Sequence, residues 1–439
     1  MLRKITGFVF SLFISISFLS GQNTYQDMIE KDYPYLDALY KHLHSSPELS
    51  FREKETSARL AEEMRKIGFE VTENVGGYGV VAVLKNGKGP TLLVRTDTDA
   101  LPVVEETGVS YASKVKVKDD SGSEVGVMHA CGHDIHMTVW TGTARLMEKL
   151  KKRWSGTLVF IAQPAEERGS GARAMIEDGL YQRFPRPDYA LALHTHAEMA
   201  AGTIGYRPGF ALANVDMMDI VVYGKGGHGA YPHTTIDPIV LAARIVVSLQ
   251  TIVSREISPL DPAVVTVGSI HGGTKANIIG NEVKLELTLR SYTDEVREKL
   301  ISGIRRICNG EAMAAGLPES MYPTINLRNE FTPATYNDPA LAERLAGVWK
   351  KTLGEASVVE KPSVMGGEDF SEYGRTGDKV PISIFWLGVV EPEKIEAASK
   401  GEYKLPSLHS SKYKPVPEQS IKTGVTAMAA GILELIGQK

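Results

Sequence analysis

The sequence predicts an α/β fold, in which a mixed, mostly parallel sheet carries helices on both faces. Two observations support this. In the first half, short apolar strands at 91–94 and 157–162 are separated by a helical pattern at 138–150, and such alternation is typical of parallel sheets. Near residue 210 the order changes to strand, helix, strand, strand, helix, strand, which is the ferredoxin-like α+β arrangement. We therefore predict a ferredoxin-like domain that is inserted into the α/β domain.

Each element follows from its local sequence. Helices are predicted where apolar residues recur at helical spacing, and Pro47 and Gly68 end the first two. In the first domain the predicted helices are 25–46, 53–67, 138–150, 172–179 and 418–436, and the predicted strands are 80–84, 91–94, 157–162, 189–193 and 381–387. In the inserted domain the strands are 215–223, 263–270, 282–292 and 322–327, and the helices are 237–254 and 294–315.

The chain has 439 residues, which is too long for one ordinary domain. We predict that 22–210 and 328–439 form one discontinuous domain and that 211–327 form the insertion. Residues 1–21 have a basic start, an apolar run and a small-residue end, the layout of a secretory signal peptide. The run is short for a membrane span, which is the alternative. We expect an exported protein, periplasmic or secreted, without a stable membrane anchor.

Composition narrows the class of partner. The formal net charge is -4 at pH 7 and no long basic block occurs, which argues against a nucleic-acid surface. The chain has two cysteines, Cys131 and Cys308. We expect them not to form a disulfide, because Cys131 lies in a metal-binding pattern whereas Cys308 lies in a predicted helix of the inserted domain.

That pattern is the run Met128-His129-Ala130-Cys131-Gly132-His133-Asp134. Thiolate and neutral imidazole are both good ligands for borderline divalent metals, and the intervening glycine allows the backbone to turn both toward one ion. A lone C-x-H is more often part of a core than a ligand pair. The metal-binding interpretation of this pair is supported by later candidate ligands, Glu166-Glu167, His194 and His409. Together these residues suit a hydrolytic metal site.

Glu166 and Glu167 follow a predicted strand. Adjacent residues in extended chain point apart, so one carboxylate is expected to bind metal while the other takes a proton from water. The alternative is a pair of solvated surface glutamates. His194 directly follows another strand and is the preferred ligand there, whereas His196 is expected at the surface.

The sequence leaves the roles of several neighbouring residues undecided. His129 and His136 flank the central motif, and a hydrogen-bonded structural imidazole is at least as good an interpretation as a ligand. Asp97 and Asp99 lie at a strand end, where each could bind metal, orient a ligand histidine or cap a turn.

The glycine-rich loop around His228 opens the inserted domain. Its glycines suit close approach to a substrate, but they equally suit a surface hairpin. Asn277 and Arg290 are polar residues near strands of the same domain, and an arginine there could pair with a carboxylate bidentately. Either residue alone is more often structural.

Taken together, the motifs resemble a known family. These are the metallopeptidases that include aminoacylases and glutamate carboxypeptidases, and within them the amidohydrolases of N-acyl, hippuryl and indole-acetyl amino acids. The resemblance runs from about residue 35 to residue 436. It rests on HLHSSPELSF from His42, DTDALP from Asp97, HACGHD, QPAEE, GGHGAYPH and GEDF from Gly367.

The resemblance implies a discontinuous catalytic domain and a satellite dimerisation domain. It implies two divalent metal ions per chain, zinc or manganese, with the ligands Cys131, His133, Glu167, His194 and His409. It also implies that Glu166 is the general base and that His228, Asn277 and Arg290 bind substrate. Arg95 stands where the wider family has its first ligand histidine, two residues before Asp97, which puts a bridging role for Asp97 in doubt.

We therefore expect a metal-dependent amidohydrolase that cleaves the amide bond of N-acyl amino acids or related amides. The alternatives are a carboxypeptidase or dipeptidase with the same centre and a non-catalytic binding protein of the same fold. The expected partners are a small acyl-amino acid or short peptide and a second copy of the chain, which would pair through the inserted domain. A monomer is the alternative to that dimer.

Overall fold

The computed structural model describes residues 9–438, with side chains from residue 25 onward. The predicted signal peptide, residues 1–21, lies outside the part of the chain whose side chains are described, so export stays a prediction. The chain divides into two compact units. The first unit contains the residues up to Gly209 together with Asn337–Pro362 and Glu372–Lys439, and the second contains Phe210–Tyr336 and Ser363–Ser371.

The second unit extends beyond the predicted limit of 327 for a local reason. Thr332 forms a β-bridge with Val215, and the backbone N–H of Ala334 donates to Asn214 Oδ1 at 2.7 Å. Residues 363–371 join the same unit because the N–H of Val364 donates to the Ala211 carbonyl. These contacts join residues more than a hundred positions apart, so no local pattern indicates them.

The predicted helices are present, but the first begins much earlier, at Val9, and the third begins at His133 rather than at residue 138. The helices are α1 Val9–Ser45, α2 Lys54–Ile67, α3 His133–Lys149, α4 Gly171–Glu177, α5 Leu180–Arg183, α6 Pro238–Thr251, α7 Asp294–Ala314, α8 Pro339–Leu353, α9 Glu372–Arg375, α10 Pro392–Ser399 and α11 Pro417–Ile436. The helices α5, α8, α9 and α10 were not predicted.

The strands include several short ones that the sequence pattern did not predict. They are β1 Glu70–Val75, β2 Gly79–Asn86, β3 Thr91–Asp97, β4 Lys116–Lys118, β5 Glu124–Gly126, β6 Gly156–Gln163, β7 Tyr189–Ala200, β8 Ile204–Tyr206, β9 Gly209–Leu212, β10 Asn214–Tyr223, β11 Gly227–His228, β12 Ala263–Gly272, β13 Ile278–Ile279, β14 Glu282–Ser291, β15 Thr324–Leu327, β16 Thr335–Asn337, β17 Val358–Glu360 and β18 Ile382–Val390.

Within the described residues, the first unit contains an eight-stranded mixed sheet in the order β1-β2-β6-β3-β7-β18-β8-β17. Strand β3 is parallel to both β6 and β7, and β7 is parallel to β18. The carboxyl ends of parallel strands meet at one edge of a sheet, where polar side chains collect. The predicted α/β class with a mostly parallel mixed sheet is confirmed.

Strand β7 is longer than predicted, and His194 lies within it rather than after it. The strand pairs with β3 only from Tyr189 to Leu191, whereas its pairing with β18 continues to Ala200. Beyond Leu191 the β3 side of β7 therefore has no strand beside it in the described sheet. His194 follows this point by three residues.

The second unit has an antiparallel sheet in the order β12-β14-β10-β15, packed against α6 and α7. Among the described residues, the helix segment Pro238–Glu256 is apolar and long enough to cross a membrane by length and composition alone. Leu241, Ile245 and Leu249 of this helix are buried in the core of the unit. One face of the helix therefore packs in the core of the second unit.

Candidate metal centre

The central motif forms a tight turn that presents two side chains together. Gly132 has a left-handed φ of 85° and immediately precedes α3, which begins at His133. A Cβ atom placed at Gly132 would lie 2.6 Å from Thr195 Oγ1 and 3.0 Å from the Tyr413 hydroxyl. Both the backbone conformation and the lack of space therefore require glycine between Cys131 and His133.

The five predicted ligands converge at this turn. The donor atoms of Cys131, His133 and His194 lie within 4.8 Å of one another, and so do those of Cys131, Glu167 and His409. The backbone N–H of His409 donates to the Ala130 carbonyl at 2.9 Å, which brings the distant C-terminal loop beside the motif. Four of the ligands are buried or nearly so, whereas the side chain of His409 is 54% exposed. The cluster thus has one open side.

Hydrogen bonds on the outer nitrogens orient the two inner histidines. His133 Nδ1 lies 2.8 Å from the Asp99 carbonyl oxygen, and His194 Nδ1 lies 2.7 Å from the Thr195 carbonyl oxygen. A carbonyl only accepts, so each Nδ1 carries a proton, and Nε2 is the atom that a neutral ring would offer to a metal. Those Nε2 atoms face the cluster, where His194 Nε2 is 3.4 Å from Cys131 Sγ.

The cluster contains buried polar atoms that its own residues do not satisfy. Among the described residues, neither His133 Nε2 nor Glu167 Oε1 has a hydrogen-bond partner. Each such atom costs about 1–3 kcal/mol. Burial, reinforced by the neighbouring carboxylates, raises the pKa of the Cys131 thiol well above its ordinary value, and burial raises the pKa of Glu167 to about 7. Divalent cations would supply the missing partners and the missing positive charge, so this donor set fits metal ions.

Glu166 and Glu167 begin a 3-10 turn that follows β6 and ends at Arg168. Their carboxylates do not point apart as predicted, because the chain here is turned rather than extended. Glu166 Oε2 lies 3.8 Å and Glu167 Oε1 lies 3.9 Å from His133 Nε2. Glu166 is 8% exposed. A candidate ligand carboxylate and a candidate base thus lie side by side at the cluster.

The structure separates the open alternatives for Asp97. One carboxylate oxygen of Asp97 lies 2.7 Å from His136 Nδ1, and the other accepts from Arg95 at 2.8 Å. Burial opposes ionisation, but His133, His136 and Arg95 outweigh it and hold the pKa of Asp97 well below its usual range. This carboxylate therefore orients the buried side chains of Arg95 and His136.

His136 is a structural imidazole. Its Nε2 accepts the backbone N–H of Thr195 at 2.8 Å while its Nδ1 contacts Asp97. Burial lowers its pKa to about 3, so the ring is neutral. Both nitrogens are occupied, and the bond to Thr195 fixes the strand segment that carries His194.

The remaining histidines near the motif lie outside the two ligand groups. His129 is buried, and neither of its ring nitrogens has a hydrogen-bond partner among the described residues. His196 is half-buried, and its Nδ1 accepts the Glu198 N–H at 3.1 Å. Two residues that sequence reasoning missed, Ser50 and Glu53, contact the neighbours of Glu166. Ser50 lies in the HLHSSPELSF motif, which carries part of the resemblance but had no predicted role, whereas Glu53 lies two residues beyond that motif.

The three predicted substrate-binding residues lie in the second unit. His228 and Asn277 are exposed and adjacent, since His228 pairs with Ile278 in the β11–β13 ladder. Arg290 is half-buried near the other end of β14. That strand starts at Glu282, so Arg290 is eight residues, or about 26 Å, from the end nearest β13. The second unit of one chain therefore does not bring all three residues together.

Cys131 and Cys308 are both free thiols, which confirms that they do not form a disulfide. Cys131 belongs to the ligand cluster of the first unit. Cys308 is buried within α7 of the second unit.

The model of peptidase family M20/M25/M40 matches residues 93–430 of the chain. The chain belongs to this family. As a member of the M20/M25/M40 family it is a hydrolase that acts on amide or peptide bonds. The predicted resemblance is confirmed, and the match includes all five clustered ligands and Glu166.

Individual relatives agree with this assignment. The chain is 37% identical to thermostable carboxypeptidase 1 of Saccharolobus solfataricus, over 88% of this chain and 92% of the relative. It is also 37% identical to the N-acetyldiaminopimelate deacetylase of Limosilactobacillus fermentum, over 82% and 90%. The crystal structure of Bacillus subtilis YxeP protein, a dinuclear metal-binding peptidase of the M20 family, superimposes with a TM-score of 0.74 at 28% identity, covering 93% of this chain and all of that one.

Proposed function

We propose that the chain is a metal-dependent amidohydrolase that releases the acyl group from N-acyl amino acids or related small amides. The observation that carries this proposal is the convergence of five donor side chains around buried atoms that lack partners. The similarity to a deacetylase of an acylated amino acid supports the substrate class. The similarity to a carboxypeptidase keeps a peptidase with the same centre as the second candidate.

Cys131, His133, Glu167, His194 and His409 would hold two divalent ions, as the likeness to a dinuclear peptidase suggests. When bound, the ions would polarise the substrate carbonyl and lower the pKa of water at the site. Thiolate and imidazole favour zinc, whereas the carboxylate also tolerates manganese.

Glu166 is the general base in this proposal. Its buried carboxylate would take a proton from the attacking water, which forms a bond to the carbonyl carbon. The same carboxylic acid would then give that proton to the amine nitrogen as the amide bond breaks. The carboxylate and the released amine are the products, so a single side chain moves the proton at both stages.

His228, Asn277 and Arg290 are proposed to bind substrate, with His228 donating to the carbonyl oxygen as charge develops there. Arg290 is suited to the carboxylate of an amino acid. The separation of about 26 Å along β14 argues that one small substrate does not touch all three in one chain. We therefore include in the proposal a homodimer in which His228 and Asn277 of the partner complete each site.

The surface of the second unit supports this pairing. Strand β12 is at the edge of its sheet, and an exposed edge is usually covered or paired. Val240 and Val247 of α6 are 57% and 71% exposed. A two-fold contact through β12 and α6 would cover both features. Export after removal of residues 1–21 is also part of the proposal.

The test compares substrates and one variant. Purified protein would be analysed for metal content and assayed on N-acetyl and N-benzoyl amino acids and on dipeptides. We expect faster hydrolysis of the acyl amino acids and a loss of roughly a hundredfold or more in Glu166→Gln. Unchanged turnover in that variant, with full metal content, would contradict the mechanism. Preference for dipeptides would instead favour the second candidate.

A further inference from the structure

Residues 48–53, here called the support segment, lie beside the turn that carries Glu166. The segment follows α1 and precedes α2. It supplies no member of the ligand clusters. The backbone N–H of Ala100 donates to the Glu48 carbonyl at 2.8 Å, and Leu49 forms a parallel β-bridge with Ala100. The support segment is therefore attached to the chain immediately after Asp99.

Glu53 reaches the turn directly. Its side chain is fully buried, and its Oε1 accepts the backbone N–H of Ala165 at 2.8 Å. Ala165 has a φ of 51°, in the left-handed region that residues with a Cβ rarely adopt. It is also the residue immediately before Glu166. The hydrogen bond that the Ala165 N–H donates to Glu53 thus holds an unfavourable backbone conformation immediately before the proposed base.

Ser50 reaches the same turn through Asp99. The Ser50 hydroxyl donates to Asp99 Oδ2 at 2.6 Å. The Asp99 carboxylate accepts the N–H of Glu166 at 3.2 Å and the N–H of Glu167 at 3.0 Å. Asp99 is 1% exposed. Two buried carboxylates therefore accept three consecutive amides, those of residues 165, 166 and 167.

These three amides need partners from outside the turn. The first N–H groups of any helical turn have no acceptor within it, and a three-residue turn has little structure of its own to hold it. A side-chain oxygen that accepts such an amide satisfies a donor that the turn itself leaves without a partner. The two acceptors therefore determine where the side chains of Glu166 and Glu167 start.

We propose that Glu53 is a positioning residue for the hydrolytic reaction, acting with the Ser50–Asp99 pair to hold the backbone of Glu166 and Glu167. The inference rests on the proposed function, because it takes Glu166 as the base. Glu53 belongs to none of the groups of donor side chains that could hold a metal. Its effect passes through the Ala165 amide, and so depends on an acceptor oxygen rather than on negative charge.

The experiment uses three variants of the full chain. Glu53→Ala removes the acceptor, whereas Glu53→Gln keeps an oxygen that can accept the Ala165 N–H. Glu48→Ala is the matched control, because Glu48 lies in the same support segment and accepts two amides of α2, those of Glu55 and Thr56, but none of the turn. Each variant would be measured for kcat and KM on an N-acetyl amino acid, for metal content, and for hydrogen exchange of the peptide spanning 164–170.

For Glu53→Ala we expect faster exchange of that peptide and a kcat about ten- to a hundredfold lower, with KM changed much less. Glu53→Gln should recover most of the kcat and of the protection. Glu48→Ala should match the wild type in both. Should Glu53→Ala fail to fold, Ser50→Ala replaces it and should give the same pattern more weakly, because it loosens Asp99 alone.

Wild-type kcat and exchange in Glu53→Ala would overturn the proposal, and so would equal losses in the Ala and Gln variants. Hydrogen exchange is read without turnover and therefore separates this inference from the proposed function. If Glu166→Gln is inactive while the Glu53 variants behave as the wild type, only the positioning role is wrong. If Glu166→Gln stays active, the proposed base is wrong whatever the exchange shows.

Discussion

Replacing Gly132 by alanine tests whether the turn between Cys131 and His133 is required for metal binding. Two terms contribute to the expected loss of folding free energy. A left-handed φ of 85° costs an L-residue about 1–2 kcal/mol. The new Cβ would lie 2.6 Å from Thr195 Oγ1 and 3.1 Å from Thr195 Cγ2, so rotation of that side chain exchanges one close contact for another. Overpacking of this kind costs a further 1–3 kcal/mol, roughly.

Gly87→Ala is the matched control. Gly87 has a similar φ of 79°, but a Cβ there would have no atom within 4 Å. The stability of Gly87→Ala should therefore fall only by the cost of the left-handed backbone conformation. Urea unfolding of the metal-free proteins would measure both losses, and zinc titration followed by calorimetry would measure affinity. We expect Gly132→Ala to lose more stability than Gly87→Ala and to bind zinc at least about tenfold more weakly.

Equal stability losses in the two variants would refute the steric argument. Wild-type zinc affinity in Gly132→Ala would refute the claim that the turn sets the spacing of the ligands. Because neither measurement uses a substrate, both hold whichever amide the enzyme cleaves.

Metal chelation, subunit mixing and the pH dependence of stability provide three further tests. Chelation of metal should lower the melting temperature measured by calorimetry, because it leaves the buried ligand atoms without partners, and zinc or manganese should restore it; no shift on chelation would argue against a metal at this cluster. Mixing Glu166→Gln chains with His228→Ala chains should restore activity that neither variant has, because one mixed site keeps both residues; no recovery after confirmed subunit exchange would reject the shared site. Burial would lower the pKa of His44, but hydrogen bonds to Asp134 and Glu105 raise it to about 10. The stabilisation by charged His44 is therefore complete below about pH 6.5 and is lost as pH rises toward 10, so urea unfolding should show wild type losing its advantage over His44→Gln across that range.

The local sequence was sufficient for much of the fold. Apolar periodicity, Pro47 and Gly68 predicted α1 and α2, which end at Ser45 and Ile67, whereas α5, α8, α9 and α10 of the first unit were not predicted. These features depend on neighbours within one or two turns, where spacing and capping residues act directly. The change of pattern near residue 210 also lies within a residue of the observed boundary.

The candidate ligands could be predicted from the sequence for a related reason. Parallel strands bring their carboxyl ends to one edge, so residues that follow β3 and β6 are expected to meet. Gly132 marked the turn because only glycine suits its conformation and the space available. His409 was a candidate as well, but it is 276 residues beyond His133, and the motif resemblance is what implied that it is a ligand of the same site.

Tertiary structure decided what depends on contacts between distant residues. Asp97 has three plausible roles in the sequence, and its hydrogen bonds to Arg95 and His136 select the orienting one. The second unit reaches residue 336 because Thr332 pairs with Val215. Glu53 meets Ala165 across 112 positions. Periodicity indicates which face of its own helix or strand a residue lies on. It does not indicate which distant backbone group lies opposite that face, because this depends on how the elements pack together.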